Sequence, residues 1–344
     1  MNILVISEHI RSDPFRSTFY NIDTTHKYCK KSIRRFIKGN NKFCYFINLF
    51  VTAFICRFKY KSWDTKLVIS DNPRIGFLVS IINRITLCNI DHVIWNFNTQ
   101  SAYTGIKLLI AKYACRSVSF IIVYSECERH IYSKMLNIPK SKILKKYLSG
   151  PYLDDDRYIE LSKKSTRKDY VVSAGFSGRD YRFLSSVAAA IPEVHFVIIT
   201  YPRVIRGIEF SPNVEIVSGI SEIEYCQYIA NSKLSFLPIE NKITANGQVG
   251  IIQAMCLRTP LLTNLTEGTK DYLIPDVNSM IFKDGDVGDT VKCIKRLLSD
   301  DNYALQITEN AYEFANEHFT IKHDIDSVHQ IVDSIRNRFA SCDR

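Results

Sequence analysis

A strand, loop, helix and strand follow one another in the second half of the chain, and this run limits the fold more than any other feature. An apolar strand, Leu234 to Leu237, stops at Pro238. A polar loop then reaches Asn246-Gly247-Gln248, which opens a helix to about Leu257. Val249, Ile252 and Cys256 fall on one face of that helix, with Ile251 and Met255 beside them. A second strand, Pro260 to Thr263, leads into a polar turn carrying Glu267-Gly268-Thr269. Such a βαβ unit belongs to a parallel sheet, which gathers ligands at the carboxyl ends of its strands. A glycine at a helix start lets backbone N–H groups close on an anion, and the helix dipole favours negative charge there. Taken alone, one glycine suits an ordinary loop-to-helix turn equally.

The same alternation runs through the rest of the chain. In the first half the strands are Asn2 to Ser7, Lys66 to Ser70, His92 to Phe97, Phe120 to Tyr124 and Ile143 to Leu148. Helices are expected at Ile75 to Ile85, Tyr103 to Cys115 and Ser125 to Leu136. Between Lys27 and Lys42 a basic helix is expected, then a strand near Phe43 to Ile47 and a helix near Leu49 to Phe58. The loop Glu8 to Arg16 has no glycine, so it is not a dinucleotide fingerprint. The second half restarts with Tyr170 to Ala174, a helix Tyr181 to Ala190, strands His195 to Thr200 and Val214 to Val217, and a helix Glu222 to Ala230. After the central run come a short strand at Met280 to Phe282 and helices Val287 to Leu298, Tyr303 to His318 and Asp324 to Phe339. Near-continuous apolar strands alternating with helices predict an α/β protein with doubly wound parallel sheets. At 344 residues the chain exceeds one ordinary core. The charged link Gly150 to Lys168 divides it into residues 1–165 and 166–321.

Composition narrows the class. Hydrophobic content of 46% with 23% charged residues is that of a folded globular chain. Ten cysteines occur with no CxxC pair, which argues against a zinc site or disulfide framework and for thiols kept reduced in a cytoplasm. The opening MNILVISEHI reads directly as a strand, so no cleaved signal is expected. The longest apolar run, Phe43 to Cys56, is shorter than the roughly 20 residues a spanning helix needs. Asp154-Asp155-Asp156 reads as a solvated acidic turn, as do the pairs Asp284/Asp286 and Asp324/Asp326. No His, Cys or carboxylate cluster has metal-ligand spacing, so no metal is expected.

The net charge of +10 is concentrated. Lys27, Lys30, Lys31, Arg34, Arg35, Lys38 and Lys42 crowd one stretch, and Arg57, Lys59 and Lys61 follow the apolar run. Lys107, Lys112 and Arg116 lie on or beside a helix. These groups suit an anionic membrane surface, nucleic acid phosphates or a merely solvated face. Interleaved Phe36, Phe43, Tyr45, Phe46, Phe50 and Phe54 favour the membrane, with Lys30, Lys31, Arg34, Arg35 and Lys38 at its surface. No RNA- or DNA-binding motif is present, so nucleic acid is not an expected partner.

One further turn carries chemistry. Strand Tyr170 to Ala174 runs into Gly175-Phe176-Ser177-Gly178-Arg179-Asp180 ahead of a helix. Backbone donors and a fork-shaped guanidinium suit a diphosphate. A plain turn with a solvated arginine fits the same residues.

From about Tyr170 to Thr320 the chain resembles the donor-binding domain of retaining GT-B glycosyltransferases, closest to family-four-like enzymes of bacterial capsule, exopolysaccharide or O-antigen assembly. The runs that carry this are SAGFSGRDY, ISEIEYCQYIANSKLSFLPI, ANGQVGIIQAMCLRTPLLTN and EGTKDYLIPDVNSMIFKDGD. The resemblance implies two Rossmann-like domains facing a central cleft, with the terminal helix (322–340) packing back on the first. It implies a nucleoside-diphosphate sugar as co-substrate, no cofactor, and a saccharide or lipid-linked acceptor met by the first domain at the inner face of the cell membrane. Arg179 would neutralise the diphosphate, helped by Gly175, Ser177, Gly178, the helix starting at Gly247, and Arg182 as a candidate second cation. The family's two donor-site glutamates fall on Ala245 and Gln253, so the sugar contact passes to Asn246 and Gln248, and Gln253 meets the ribose through an amide. Gly219 and Ile220 would hold the base, and Glu267, Gly268 and Thr269 the sugar and phosphates. Asn98 stands where the family often has a histidine near the reacting sugar. Two other classes share these features: a nucleotide-sugar epimerase on the same plan and a basic nucleic-acid-binding protein. An inactive scaffold is a third alternative, raised by Ala245 and Asn98.

Overall fold

The structure, a computed structural model, describes residues 2–7, 27–32, 42–99, 101–164, 166–240 and 246–342. Contacts divide the chain into two compact units: Met1–Lys146 with Asp324–Arg344, and Tyr147–His323.

In the first unit, β1 (Asn2–Ser7), β2 (Lys27–Ser32), β3 (Thr65–Ser70), β4 (Asp91–Ile94), β5 (Phe120–Val123) and β6 (Ile143–Lys145) form one parallel sheet ordered β2-β1-β3-β4-β5-β6. The helices are α1 (Lys42–Phe58), α2 (Pro73–Ile85), α3 (Gly105–Cys115) and α4 (Glu126–Leu136). Local signals start them: Asn72 accepts from the amides of Arg74 (3.0 Å) and Ile75 (3.2 Å) ahead of Pro73, and Ser125 accepts from Glu128. The strands are apolar at successive positions because both faces are covered. Leu4, Ile6 and Val68 pack under α1 and α2, and Ile94, Ile121 and Val123 under α3 and α4. His92 is buried in the same sheet, its ring held between Ser70 Oγ (2.7 Å) and Ser80 Oγ (2.9 Å). Burial pushes its pKa down to about 3, so the ring stays neutral.

The second unit holds α5 (Asp156–Lys164), β7 (Lys168–Ala174), α6 (Tyr181–Ala190), β8 (Phe196–Ile199), β9 (Val214–Val217), α7 (Glu222–Asn231), β10 (Ser232–Leu237), α8 (Gln248–Cys256), β11 (Leu261–Thr263), β12 (Met280–Ile281), α9 (Val287–Ser299) and α10 (Asp301–His318). Its parallel sheet is ordered β12-β11-β10-β7-β8-β9. The order reverses between β7 and β10, and a doubly wound sheet opens its ligand crevice at that switch point. The last helix, α11 (Ile321–Cys342), sets Val328, Ile331, Val332 and Ile335 against Ile3, Val5, Leu67, Ile69 and Val93 of the first unit's sheet.

Four expectations are corrected. The basic stretch contributes strand β2 at its start, not a helix, and Lys30 and Lys31 lie on this edge strand. Lysines suit an edge, where an unpaired row of backbone groups must be protected from other strands. Residues 43–47 are the first turns of α1, not a strand. Asn48, Leu49, Thr52, Ala53 and Cys56 make one buried face at helical spacing. The link after Gly150 is helical: Tyr152 and Tyr158 are buried in the second unit's core, their rings 5.2 Å apart. The break between units therefore falls at 146/147, before the link rather than within it. Asp154 is not simply solvated, since its Oδ2 accepts the Ile321 amide at 2.9 Å, while Asp155 pairs with Arg157 at 2.8 Å.

Candidate functional site

At the β7–β10 switch point two loops lock together. Arg179 and Ile239 form an antiparallel bridge, flanked by Asp180 N donating to Pro238 O (3.0 Å) and Glu240 N donating to Gly178 O (2.9 Å). From the end of β11, Asn264 clamps the second loop: Oδ1 accepts Ile239 N at 2.8 Å and Nδ2 donates to Ile239 O at 2.9 Å. Ser177 Oγ lies 3.4 Å from Asn246 Oδ1 across the same junction.

Arg179 sits inside this junction, only 9% exposed. Its Nε donates to Ala174 O at 3.2 Å and its Nη1 to Ser177 O at 3.3 Å. Among the described residues no carboxylate forms an ion pair with it, and Nη2 has no hydrogen-bond partner. A buried cation held only by carbonyl dipoles is costly until an anion joins it. Small residues wall it in. A Cβ added at Gly250 would lie 2.6 Å from Nη2, and one at Gly175 would lie 3.0 Å from it. Beneath the loop, the Tyr181 hydroxyl donates to Gly175 O at 2.6 Å, and burial pushes its pKa up to about 12 against the pull of Arg179.

The start of α8 forms the other wall. In this unit Asp180, Ser221, Asp286 and Asp300 each close the first turn of their helix with a side chain. Gly247, the N-cap of α8, has no side chain to do so and takes φ +95°, a conformation that suits glycine. Ile251 N makes the first helical bond, to Gly247 O. The amides of Gln248, Val249 and Gly250 therefore donate to nothing among the described residues. Three open N–H groups, the dipole's positive end and a buried guanidinium are groups whose chemistry suits an anion.

The other expected residues are placed as follows. Gln248 is buried, and its Nε2 donates to Gly268 O at 2.7 Å, which ties the loop after β11 to the start of α8. Thr269 is fully buried and stabilises its own turn, its Oγ1 accepting Thr266 N at 3.0 Å. Glu267 is exposed and paired with Lys270. Gln253 is buried: its Nε2 donates to the Tyr152 hydroxyl at 2.9 Å, and its Oε1 has no partner among the described residues. Arg182 is exposed on α6, and Gly219 and Ile220 follow β9, so the structure does not bring these three into the junction. Asn98 belongs to the first unit, exposed in the loop after β4. That loop is held by Asn96 Nδ2 donating to Asp71 Oδ1 (2.6 Å) and by Thr99 N donating to the Tyr132 hydroxyl (3.0 Å), which bonds buried Glu128 (3.2 Å). Arg34, Arg35, Lys38 and Ala245 lie outside the described residues.

Sequence reasoning missed Ile239, Gly250, Asn264 and Tyr152. The spacing Gly247-x-x-Gly250 was a usable signal, since two glycines in one helical turn open that face to a close neighbour. Asn264 and Tyr152 carry no local pattern, because each acts across tertiary contacts.

Residues 179–330 match the family model described as Glycosyl transferase-like. A sequence comparison with curated proteins gives no match. Among solved structures the chain is similar to sucrose-phosphate synthase from Thermosynechococcus elongatus, with TM-score 0.71 and 14% identity over 99% of this chain and 100% of that one. It is similar to Anabaena HepE in complex with UDP-glucose, with TM-score 0.68 and 13% identity over 97% and 100%. A glycosyltransferase from Rickettsia africae gives TM-score 0.67 and 12% identity over 97% and 98%. At these identities the likeness shows the fold: two parallel-sheet α/β domains of the GT-B type.

Proposed function

We propose that the chain is a glycosyltransferase that moves a sugar from a nucleoside-diphosphate sugar to a saccharide or lipid-linked saccharide acceptor, retaining the anomeric configuration. Its setting is capsule, O-antigen or exopolysaccharide assembly, peripheral to the cytoplasmic face of the cell membrane. One observation carries the reading: a buried arginine that, among the described residues, has no carboxylate partner stands beside a helix start without a side-chain cap at a topological switch point. The Glycosyl transferase-like match over residues 179–330 and the UDP-glucose held by the Anabaena relative support it.

The chemistry follows from where charge develops. When the bond between the anomeric carbon and the phosphate oxygen breaks, the sugar becomes oxocarbenium-like and the diphosphate gains negative charge. Arg179 Nη2 and the amides of Gln248, Val249 and Gly250 stabilise that charge without moving, so little reorganisation accompanies the step. They supply the positive charge that a metal ion would otherwise provide. The acceptor oxygen bonds the anomeric carbon from the side the phosphate leaves, and its proton passes to a departing phosphate oxygen. Asn246 and Gln248 contact the sugar, and Gln253 Oε1 accepts a ribose hydroxyl beside Tyr152. Asn98 acts at the acceptor side.

Turnover of labelled nucleotide sugars, UDP-glucose first, tests this. Arg179→Ala lowers kcat/KM on the order of a hundred- to a thousandfold while the fold persists. An Arg179→Ala variant as active as the parent would remove the arginine from the mechanism. A parent that turned over no nucleotide sugar with any acceptor would remove the activity.

A further inference from the structure

The helical layer of the first unit leaves a large apolar surface uncovered. On α1, Phe43, Phe46, Phe50, Phe54 and Phe58 are 70, 55, 44, 43 and 61% exposed. Their spacing puts all five on one stripe, opposite the buried Asn48, Thr52 and Cys56. On α3, Ile106, Leu109, Ile110 and Tyr113 make a second stripe, 76, 66, 46 and 42% exposed. Helix α2 packs against both α1 and α3. Arg57 Nε bonds Thr86 Oγ1 at 2.8 Å from the α1 side, and the Arg84 guanidinium lies 4.3 Å from the Tyr113 ring on the α3 side. At the end of α2, Ile85 (70%) and Leu87 (92%) continue the apolar surface.

The charge around it is predominantly positive, and exposed Asp64 is paired with Lys66. Helices α1, α2 and α3 contain no Asp or Glu, and the only acidic residues between positions 42 and 116 are Asp64, Asp71 and Asp91. Asp71 is buried. Lys59, Lys61, Lys107 and Arg116 are exposed at the margins. We propose that the outer faces of α1 and α3 are the surface by which this protein docks on an anionic lipid bilayer, with the phenylalanine stripe in the interface and the basic margin on the headgroups. Exposed apolar surface of this extent marks an interaction site, and aromatic side chains beside lysines match the apolar and anionic layers of a bilayer. A second copy is a poorer occupant, because a twofold contact would set the same positive charges against each other. Nucleic acid offers phosphates but no hydrocarbon for Ile106, Leu109 and Ile110. Among the described residues no helix is long and apolar enough to cross a membrane. The inference deepens the membrane part of the reading above and rests on it; the donor chemistry is independent of it.

Flotation with vesicles of phosphatidylcholine, with and without phosphatidylglycerol, tests the assignment. The full chain floats with the anionic vesicles and weakly or not at all with the neutral ones. Phe46→Ser with Phe50→Ser, and separately Lys107→Glu with Lys112→Glu, weaken binding about tenfold or more with unchanged circular dichroism. Phe50→Trp keeps the question open to measurement if the serine variant misfolds, since its emission shifts to the blue on adding anionic vesicles. A parent that ignores anionic vesicles overturns the membrane reading while leaving nucleotide-sugar turnover as a separate result. Variants that float like the parent, or a parent that is a dimer dissolved by the same substitutions with vesicle binding unchanged, overturn the assignment of this face.

Discussion

Arg179 is a cation whose surroundings were built for it before any ligand arrives. Its Nε and Nη1 are spent on loop carbonyls, and Gly250 gives Nη2 its place. Gly250→Ala therefore separates site from fold. Alanine favours the helix by about 1 kcal/mol over glycine, while its Cβ would force the arginine's flexible end aside. Thermal stability should stay within a few degrees while turnover falls at least about tenfold, the effect of displacing one charge-stabilising donor being of that order or larger. Full turnover with a displaced guanidinium would refute the role of Nη2. The arginine was legible in the sequence because glycines flank it at a strand end. Gly250 was not, because within a helix it looks like any weak helix former, and only the loop folded over it explains its size. Gln253 was legible as a position, but its bond to Tyr152 depends on a segment that reads as a linker.

Elements with a strong local period were readable, and those that depend on partners were not. Strands buried on both faces announce themselves as apolar runs, which is why β1, β5, β8 and β10 stand close to their expected bounds. The short edge strand β2 is basic, α1 is apolar nearly all round, and α5 has few apolar residues, so periodicity alone misassigned all three. The placement of α11 also rests on a feature with no local signal. Lys146, at the end of β6, is buried against Asp324 of that helix, with its ammonium 4.9 Å from the Trp95 ring and 5.3 Å from the Tyr124 ring. Burial pushes the ammonium pKa down to about 7, against the pull of Asp71. Breaking a buried ion pair by removing one partner costs about 3–5 kcal/mol, whereas replacing both can be neutral. Urea unfolding should show Lys146→Met strongly destabilised and Lys146→Met with Asp324→Leu restored towards the parent. A double variant as weak as the single one would contradict the pairing.

For the molecule as a whole, the two units carry different surfaces suited to different partners. The second unit gathers open amides and a buried guanidinium at its switch point, and the first presents an acid-free apolar layer. Net charge alone left membrane, nucleic acid and solvent unresolved. The location of the phenylalanines on the outside of α1 favours the membrane. The clamp in the second unit is the central claim, and it makes a demand that no turnover assay isolates. Isothermal titration of a nucleoside, its monophosphate and its diphosphate should show the diphosphate bound at least about tenfold more tightly than the monophosphate, the gain expected from charge-assisted bonds to the added phosphate. Arg179→Ala should abolish that gain and leave nucleoside binding unchanged. Equal affinities for the monophosphate and diphosphate in the parent chain would contradict the account.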